Sequence, residues 1–239
     1  MCGRYTNTGR KDDDFHVRMA ALLGAPQPES GLGYERFNIA PTQEVLVAVG
    51  DAQGRRMEHV RWGLIRGWDA DAGPRYPLIN ARAETVLERP AYRDLVQDAA
   101  HRCLVVADGW YEWQKPEDPG LQRRPLHFSL SERRPFCFAG LWTASESASC
   151  TIVTCAANDL ARPIHDRMPV VLADPADWEA WLDPALDGPA AAELLAPLAS
   201  ARLAVQPAHP VVNSSDSEGP ECLVPPPPPD LPVQLRLPG

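Results

Sequence analysis

Apolar and polar positions alternate along this chain more often than they repeat at helical spacing. "EVLVAVG" (44–50) and "RRMEHVRWGLI" (55–65) read as two strands joined by the turn "DAQG". "RCLVVADGWYEW" (102–113) reads as one buried strand running into a polar end. "PLHFSL" (125–130) and "PFCFAGLW" (135–142) flank "SERR" and read as a hairpin. "CTIVTCAAN" (150–158) and "RLAVQPAH" (202–209) read as further strands. Helical patterns are fewer. "DDDFHVRMAALLG" (12–24) places three Asp at the positive end of a short helix and Gly24 at its stop. "ETVLERPAYRDLVQ" (84–97) is helical but interrupted by Pro90, whose ring and missing N–H break a helix. "DPADWEAWL" (174–182) and "AAELLAPLAS" (191–200) are short helices, and "PQPESGLG" (26–33) and "WDADAGPRYP" (68–77) are loops. Strands outnumber helices without alternating regularly with them. The expected fold is therefore α+β: a single domain with a β-rich, antiparallel, barrel-like core and peripheral short helices. The domain is expected over 1–224, and the proline-rich 225–239 is expected to be an extended or disordered tail.

Composition narrows the setting. The chain has 239 residues, 44% of them hydrophobic and 23% charged, enough to bury a core. It has no apolar run of about 18 residues, so no membrane-spanning helix is expected. Its start lacks the apolar stretch of a secretion signal, which suggests the cytoplasm. Six cysteines form no C-x-x-C pair and accompany no zinc-finger histidine spacing, so neither a structural metal nor another cofactor is expected. Cys103, Cys137 and Cys155 lie in apolar runs, as buried small hydrophobes do. A net charge of −9 argues against nucleic acid coating the whole surface, while leaving room for a local basic groove. The bases are 21 Arg and two Lys, Lys11 and Lys115, a bias that GC-rich coding alone also produces. With so few lysines, an imine-forming amine is most readily the chain's own α-amine.

That amine sits beside a thiol. In "MCGRYTNT", Cys2 follows the initiator methionine, which is normally removed before a small residue. The mature chain then begins with a 1,2-aminothiol, which no internal cysteine offers; a buried N-terminal Cys is the plainer alternative. Three polar sites stand at the ends of apolar runs. "LINARAET" carries Asn80, Arg82 and Glu84. "VVADGWYEW" encloses Glu112 among Trp110, Tyr111 and Trp113, where poor solvation should raise a carboxyl pKa. "RPIHDRMPVVL" sets His165, Asp166 and Arg167 in a proline-bounded loop. Each alone is also consistent with a structural ion pair or a surface histidine.

Taken in order, "MCGRY", "FNIAPTQ", "RWGLI", "INARAET", "ADGWYEW", "FAGLW" and "HDRMPVVL" resemble the SOS-response-associated peptidase family, also described as abasic-site processing proteins. The resemblance runs from Cys2 to about Leu223. It implies a groove for single-stranded DNA and a covalent link between the N-terminal Cys and an abasic site, made by a monomer without metal. By position, Cys2, Asn80, Glu112 and His165 match the family's active site. Arg4, Arg82 and Arg167 match phosphate-holding positions, and Pro41, Trp62 and Trp113 match positions that pack against or separate bases. One departure concerns a further arginine after "NARAET". Pro90 falls there, with Arg89 and Arg93 nearby.

The chemistry this implies uses both Cys2 nucleophiles. An α-amine of reference pKa ~7.7–8.0 adds to the ring-opened abasic aldehyde, and the thiol closes a thiazolidine on the same carbon. The imine also permits β-elimination, and the same residues could release Met1. Two rivals stay open: an N-terminal-nucleophile peptidase or amidase, and a noncatalytic module that binds single strands.

Overall fold

A computed structural model of the chain describes residues 2–8, 35–51, 54–66, 77–116, 122–144 and 147–226, with Met19, Ala21, Asp118 and Gly120. The predicted helix over 12–24, the two loops 26–33 and 68–77, and the tail beyond Pro226 lie wholly or mostly outside these residues. Met19 and Ala21 are helical. The described strands are β1 (Tyr5–Asn7), β2 (Arg36–Ile39), β3 (Glu44–Asp51), β4 (Gly54–Trp62), β5 (Asn80–Arg82), β6 (Arg102–Ala107), β7 (Gly109–Gln114), β8 (Arg124–Leu130), β9 (Phe136–Thr143), β10 (Ser149–Ala156), β11 (Arg167–Pro169), β12 (Val171–Leu172) and β13 (Leu203–Pro207). Short α-helices span α1 (Arg93–Gln97), α2 (Pro175–Trp181) and α3 (Gly188–Glu193).

Five strands close a ring in the order β10–β4–β3–β6–β9, with β9 returning to β10. This is the expected barrel-like core. Its pairings are antiparallel except along β10, which meets β4 and β5 in parallel. These two strands lie on one line. β4 ends at Trp62, the chain leaves through Gly63, and β5 resumes beside Ile152–Thr154. Gly63 holds φ 130°, a left-handed value that favours glycine. The excursion delivers Asn80 to the start of β5.

A second, antiparallel sheet runs β13–β8–β7–β1–β2 and packs over the ring. Between the sheets, Trp110 stacks on Phe128 at 4.9 Å, and Tyr5 meets Trp62 edge-on at 5.3 Å. The outer face of this sheet carries a smaller cluster of Tyr111, Ala208, Val212 and Cys222, so the C-terminal segment of the domain covers it.

Three local expectations change. "RCLVVADGWYEW" is two strands in two different sheets, β6 and β7, broken at Asp108. The buried Asp108 carboxylate accepts from Thr6 Oγ1 at 2.5 Å, from Thr8 N at 3.0 Å and from Thr8 Oγ1. It thereby pins β1 at the point where the chain changes sheet. β8 and β9 also part. β8 pairs with β7 and β13, and β9 with ring strands and β12, so "SERR" joins two sheets and makes no hairpin. The helix over 84–97 survives only as α1, after Pro90, with a single 3₁₀ turn before it.

Gly109 lies where β7 passes His127. A Cβ there would stand 2.2 Å from His127 Nε2 and 2.6 Å from Phe128 O. We expect Gly109→Ala to destabilise the fold by about 1–3 kcal/mol, because the strand must shift to admit one methyl. Urea unfolding would read this, and an unchanged midpoint would contradict it.

Candidate active site

The site forms where β1 enters the fold. β1 pairs with β7 through Tyr5–Trp110 and Thr6–Gly109, and Tyr111 N donates to Arg4 O at 3.0 Å. This carries Cys2 alongside the outer half of β7, where it is fully buried. Asn80, at the start of β5, donates from Nδ2 to the Cys2 carbonyl at 2.8 Å. Tyr92 donates to the Asn80 carbonyl at 3.2 Å and holds that strand end. Asn80 Oδ1 is buried and has no hydrogen-bond partner among the described residues.

Strand alternation settles the surroundings of Glu112. It shares a face with Trp110, toward the interior, while Tyr111 and Trp113 point to the opposite face. Of the three flanking aromatics, then, only Trp110 lies on the carboxyl's side. Glu112 is 4% exposed. Burial pushes its carboxyl up to about 7, the positive amino terminus of the chain opposes the shift, and Asp166 adds to it. Burial also pushes the Cys2 thiol far above its ordinary range, and the nearby Glu112 charge adds to that. His165 moves the other way. Partial burial and the amino-terminal charge hold its pKa below the usual histidine value, against the pull of Asp166.

His165 Nδ1 lies 3.0 Å from Asp166 Oδ1 and also accepts from Arg167 N at 3.0 Å. The lowered pKa favours the neutral ring, in which the backbone bond occupies Nδ1 and the proton sits on Nε2. Cys2, Asn80, Glu112 and His165 thus gather around one chain terminus, an arrangement able to carry nucleophilic and acid–base chemistry. Among the described residues no cluster of three or more His, Cys, Asp or Glu is arranged to hold a metal ion.

The residues matched to DNA contacts fall in different settings. Arg82 is exposed beside Asn80. Arg4 is committed to the protein, donating to Asn38 Oδ1 at 2.8 Å and to Val212 O at 2.7 Å. Arg167 forms a bidentate pair with Glu84, at 2.6 and 2.9 Å. Pro41 begins a tight turn over 40–43, in which Thr42 takes φ 75°. Trp113 is half-buried, and its Nε1 donates to Asn213 Oδ1 at 2.7 Å. Trp62 departs from its expected place. It is fully buried between the sheets, its Nε1 donates to Ile79 O at 2.9 Å, and no face of its ring is open to a base. Its run, "VRW", is a ring strand whose alternate residues turn inward.

Two residues of the site were not singled out from sequence. Tyr92 followed an interrupted helical pattern that hid its role. Asn38, buried at 0% exposure, binds Arg4 and three carbonyls of the C-terminal segment. A polar residue between Phe37 and Ile39 in a strand-like run is the signal that marks it.

The family described as SOS response associated peptidase (SRAP) matches residues 1–215. The abasic site processing protein YoqW of Bacillus subtilis is 35% identical over 233 residues, covering 93% of this chain and 99% of that protein. The Escherichia coli abasic site processing protein YedK is 30% identical, covering 82% and 86%. A crystal structure of a protein from Bacteroides thetaiotaomicron superposes with a TM-score of 0.75 at 20% identity, over 94% of this chain and 99% of that one, which is a likeness of fold.

The raised Glu112 carboxyl has a thermodynamic signature. A group whose folded pKa exceeds its unfolded value contributes stability below the unfolded value, near 4.3, that is lost as pH rises through about 7. We expect Glu112→Gln to gain on the wild type by up to about 3 kcal/mol between pH 5 and pH 8. Urea unfolding of both proteins at the two pH values checks this, and the difference removes the opposing contribution of His165. A gap independent of pH would contradict it.

Proposed function

Because the chain belongs to the SOS-response-associated peptidase family, and its relatives are named for processing abasic sites, we propose that it captures abasic sites in single-stranded DNA. The capture is covalent, through Cys2 once Met1 has been removed. The observation that carries this reading is the convergence on Cys2: its carbonyl held by Asn80, its thiol beside a carboxyl poised near neutral pH.

The α-amine of Cys2 adds to C1′ of the ring-opened sugar, and loss of one water leaves an imine. The imine leaves this step protonated; the thiol then adds to its carbon and passes its own proton to a base, closing the neutral thiazolidine. A thiol with a strongly raised pKa is not a thiolate in this site, so it must lose its proton as it attacks. Glu112, near 7, serves both halves: protonated, it assists departure of water, and ionised, it takes the thiol proton. Neutral His165, with its proton on Nε2, donates to the sugar oxygen during ring opening. The buried, unpartnered Asn80 Oδ1 accepts from the α-amine and holds it beside the aldehyde. The imine acidifies the neighbouring carbon, which opens a β-elimination route at the 3′ phosphate. The same acid–base pair supports autocatalytic removal of Met1. A reducing compartment such as the cytoplasm suits a chemistry that needs a free thiol.

The deciding experiment incubates the purified protein with single-stranded DNA carrying one abasic site and resolves it on a denaturing gel. A stable adduct is expected from the mature chain. None is expected when residues are locked ahead of Cys2, and adduct formation by that blocked chain would overturn the thiazolidine.

Cys2→Ala and Cys2→Ser, each verified to begin at residue 2, keep the amine and lose the thiol. Both should give an imine that borohydride traps, while forming no durable adduct without it. Lys115→Arg is the control. The Lys115 charge reaches His165, so loss of trapping there would reassign the amine.

A further inference from the structure

The segment after β13 returns across the outer face of the second sheet, and two consecutive residues in it hold two of the side chains matched to DNA. Arg4 donates from one guanidinium nitrogen to Val212 O at 2.7 Å and from the other to Asn213 O at 3.5 Å. Trp113 donates from Nε1 to Asn213 Oδ1 at 2.7 Å. Arg4 stands just ahead of β1 and Trp113 near the end of β7, so the segment ties together side chains from two neighbouring strands.

The segment is itself held at several points. Val212 is fully buried with Tyr111, Ala208 and Cys222. Asn38 Nδ2 donates to Ser214 O at 2.8 Å and to Ser217 O at 2.9 Å. Glu218 Oε1 accepts from Phe37 N at 2.6 Å and from Asn38 N at 3.1 Å. Between these anchors Pro210–Asn213 form a 3₁₀ turn, opened by a proline and capped where Val211 N donates to His209 Nδ1 at 3.1 Å. Asn213 therefore meets Trp113 from a fixed point.

An indole has two side-chain torsions and one polar atom, its Nε1–H. Trp113 packs partly buried against the Tyr111 cluster, with ring centroids 6.5 Å apart, which limits where the ring lies. The bond to Asn213 selects the plane. It uses the edge of the ring and neither face, so it is compatible with a base stacked on the indole. Asn213 is itself exposed, and this surface bond adds little to the stability of the fold.

We propose that Asn213 is a positioning residue for DNA capture, setting the indole plane of Trp113 against which a base packs. The role rests on the DNA reading above and deepens it, because the C-terminal segment becomes part of the binding machinery.

The test reads binding without chemistry. Fluorescence anisotropy follows a labelled single strand that carries one tetrahydrofuran residue, an abasic analogue with no aldehyde. Asn213→Ala should weaken binding about 3- to 10-fold while its urea midpoint stays close to wild type. Ser215→Ala, exposed on the same segment, should bind within about twofold of wild type. Asn213→Asp keeps an accepting oxygen; at about 0.3 M salt, where its added charge is screened, it should come within about twofold of wild type at the same salt. Trp113→Phe keeps an aromatic ring and loses the donor. In that background Asn213→Ala should cost less than about twofold more, because its effect passes through the indole. Unchanged or tighter binding in Asn213→Ala, no recovery in Asn213→Asp, or a full second loss in the double variant would each overturn the positioning role while leaving the DNA reading in place. Failure of the wild type to bind the strand would overturn both.

Discussion

Burying Cys2 requires the fold to hold a chain end from several sides, and the rest of the site follows from how it does so. β1 is three residues long, too short to be stable by its own ladder. It is fixed by β2 on one edge, β7 on the other and the Asp108 carboxylate at its far end. Asn80 then takes the Cys2 carbonyl. Asp108 and Asn80 both stand at interruptions, one where β6 becomes β7 and the other where β5 takes up the line of β4. The breaks in the barrel are what bring polar side chains to its terminus.

The electrostatics of the site follow from that burial. The thiol and the Glu112 carboxyl both resist ionising away from water, the Glu112 charge raises the thiol further, and the Asp166 charge raises Glu112. The amino-terminal charge works against both effects and pushes His165 down. One desolvated basin therefore supplies a neutral imidazole and a carboxyl near its midpoint, which is the pairing that amine-to-aldehyde chemistry needs.

The arginines divide by what the fold asks of them. Arg102 is fully buried and donates to the carbonyls of Val96, Asp183 and Leu186. Arg134 and Arg202 share Asp174 at the start of α2. Arg4 and Arg167 brace the rim of the site through protein acceptors. Many of the 21 arginines thus serve structure, which is how a chain of net charge −9 carries so many and still leaves exposed guanidiniums beside Asn80.

The sequence by itself determined the local elements and the chemical types at the site. The alternation of 44–50 and 55–65 is the β3–β4 hairpin, and Pro90 confines the helix to α1 on its C-terminal side. The order of motifs identified the family, because Cys2, Asn80, Glu112 and His165 stand in characteristic runs. Only the tertiary structure decided which sheet each strand joined. The strands within 102–113 and 135–142 are buried on both faces along most of their length, and such a strand reads the same whichever neighbours cover it. For the same reason Trp62 read as a candidate for base stacking until the ring strands closed around it. Local pattern records which surfaces avoid water; what covers them is set by long-range pairing, which no window of the sequence contains.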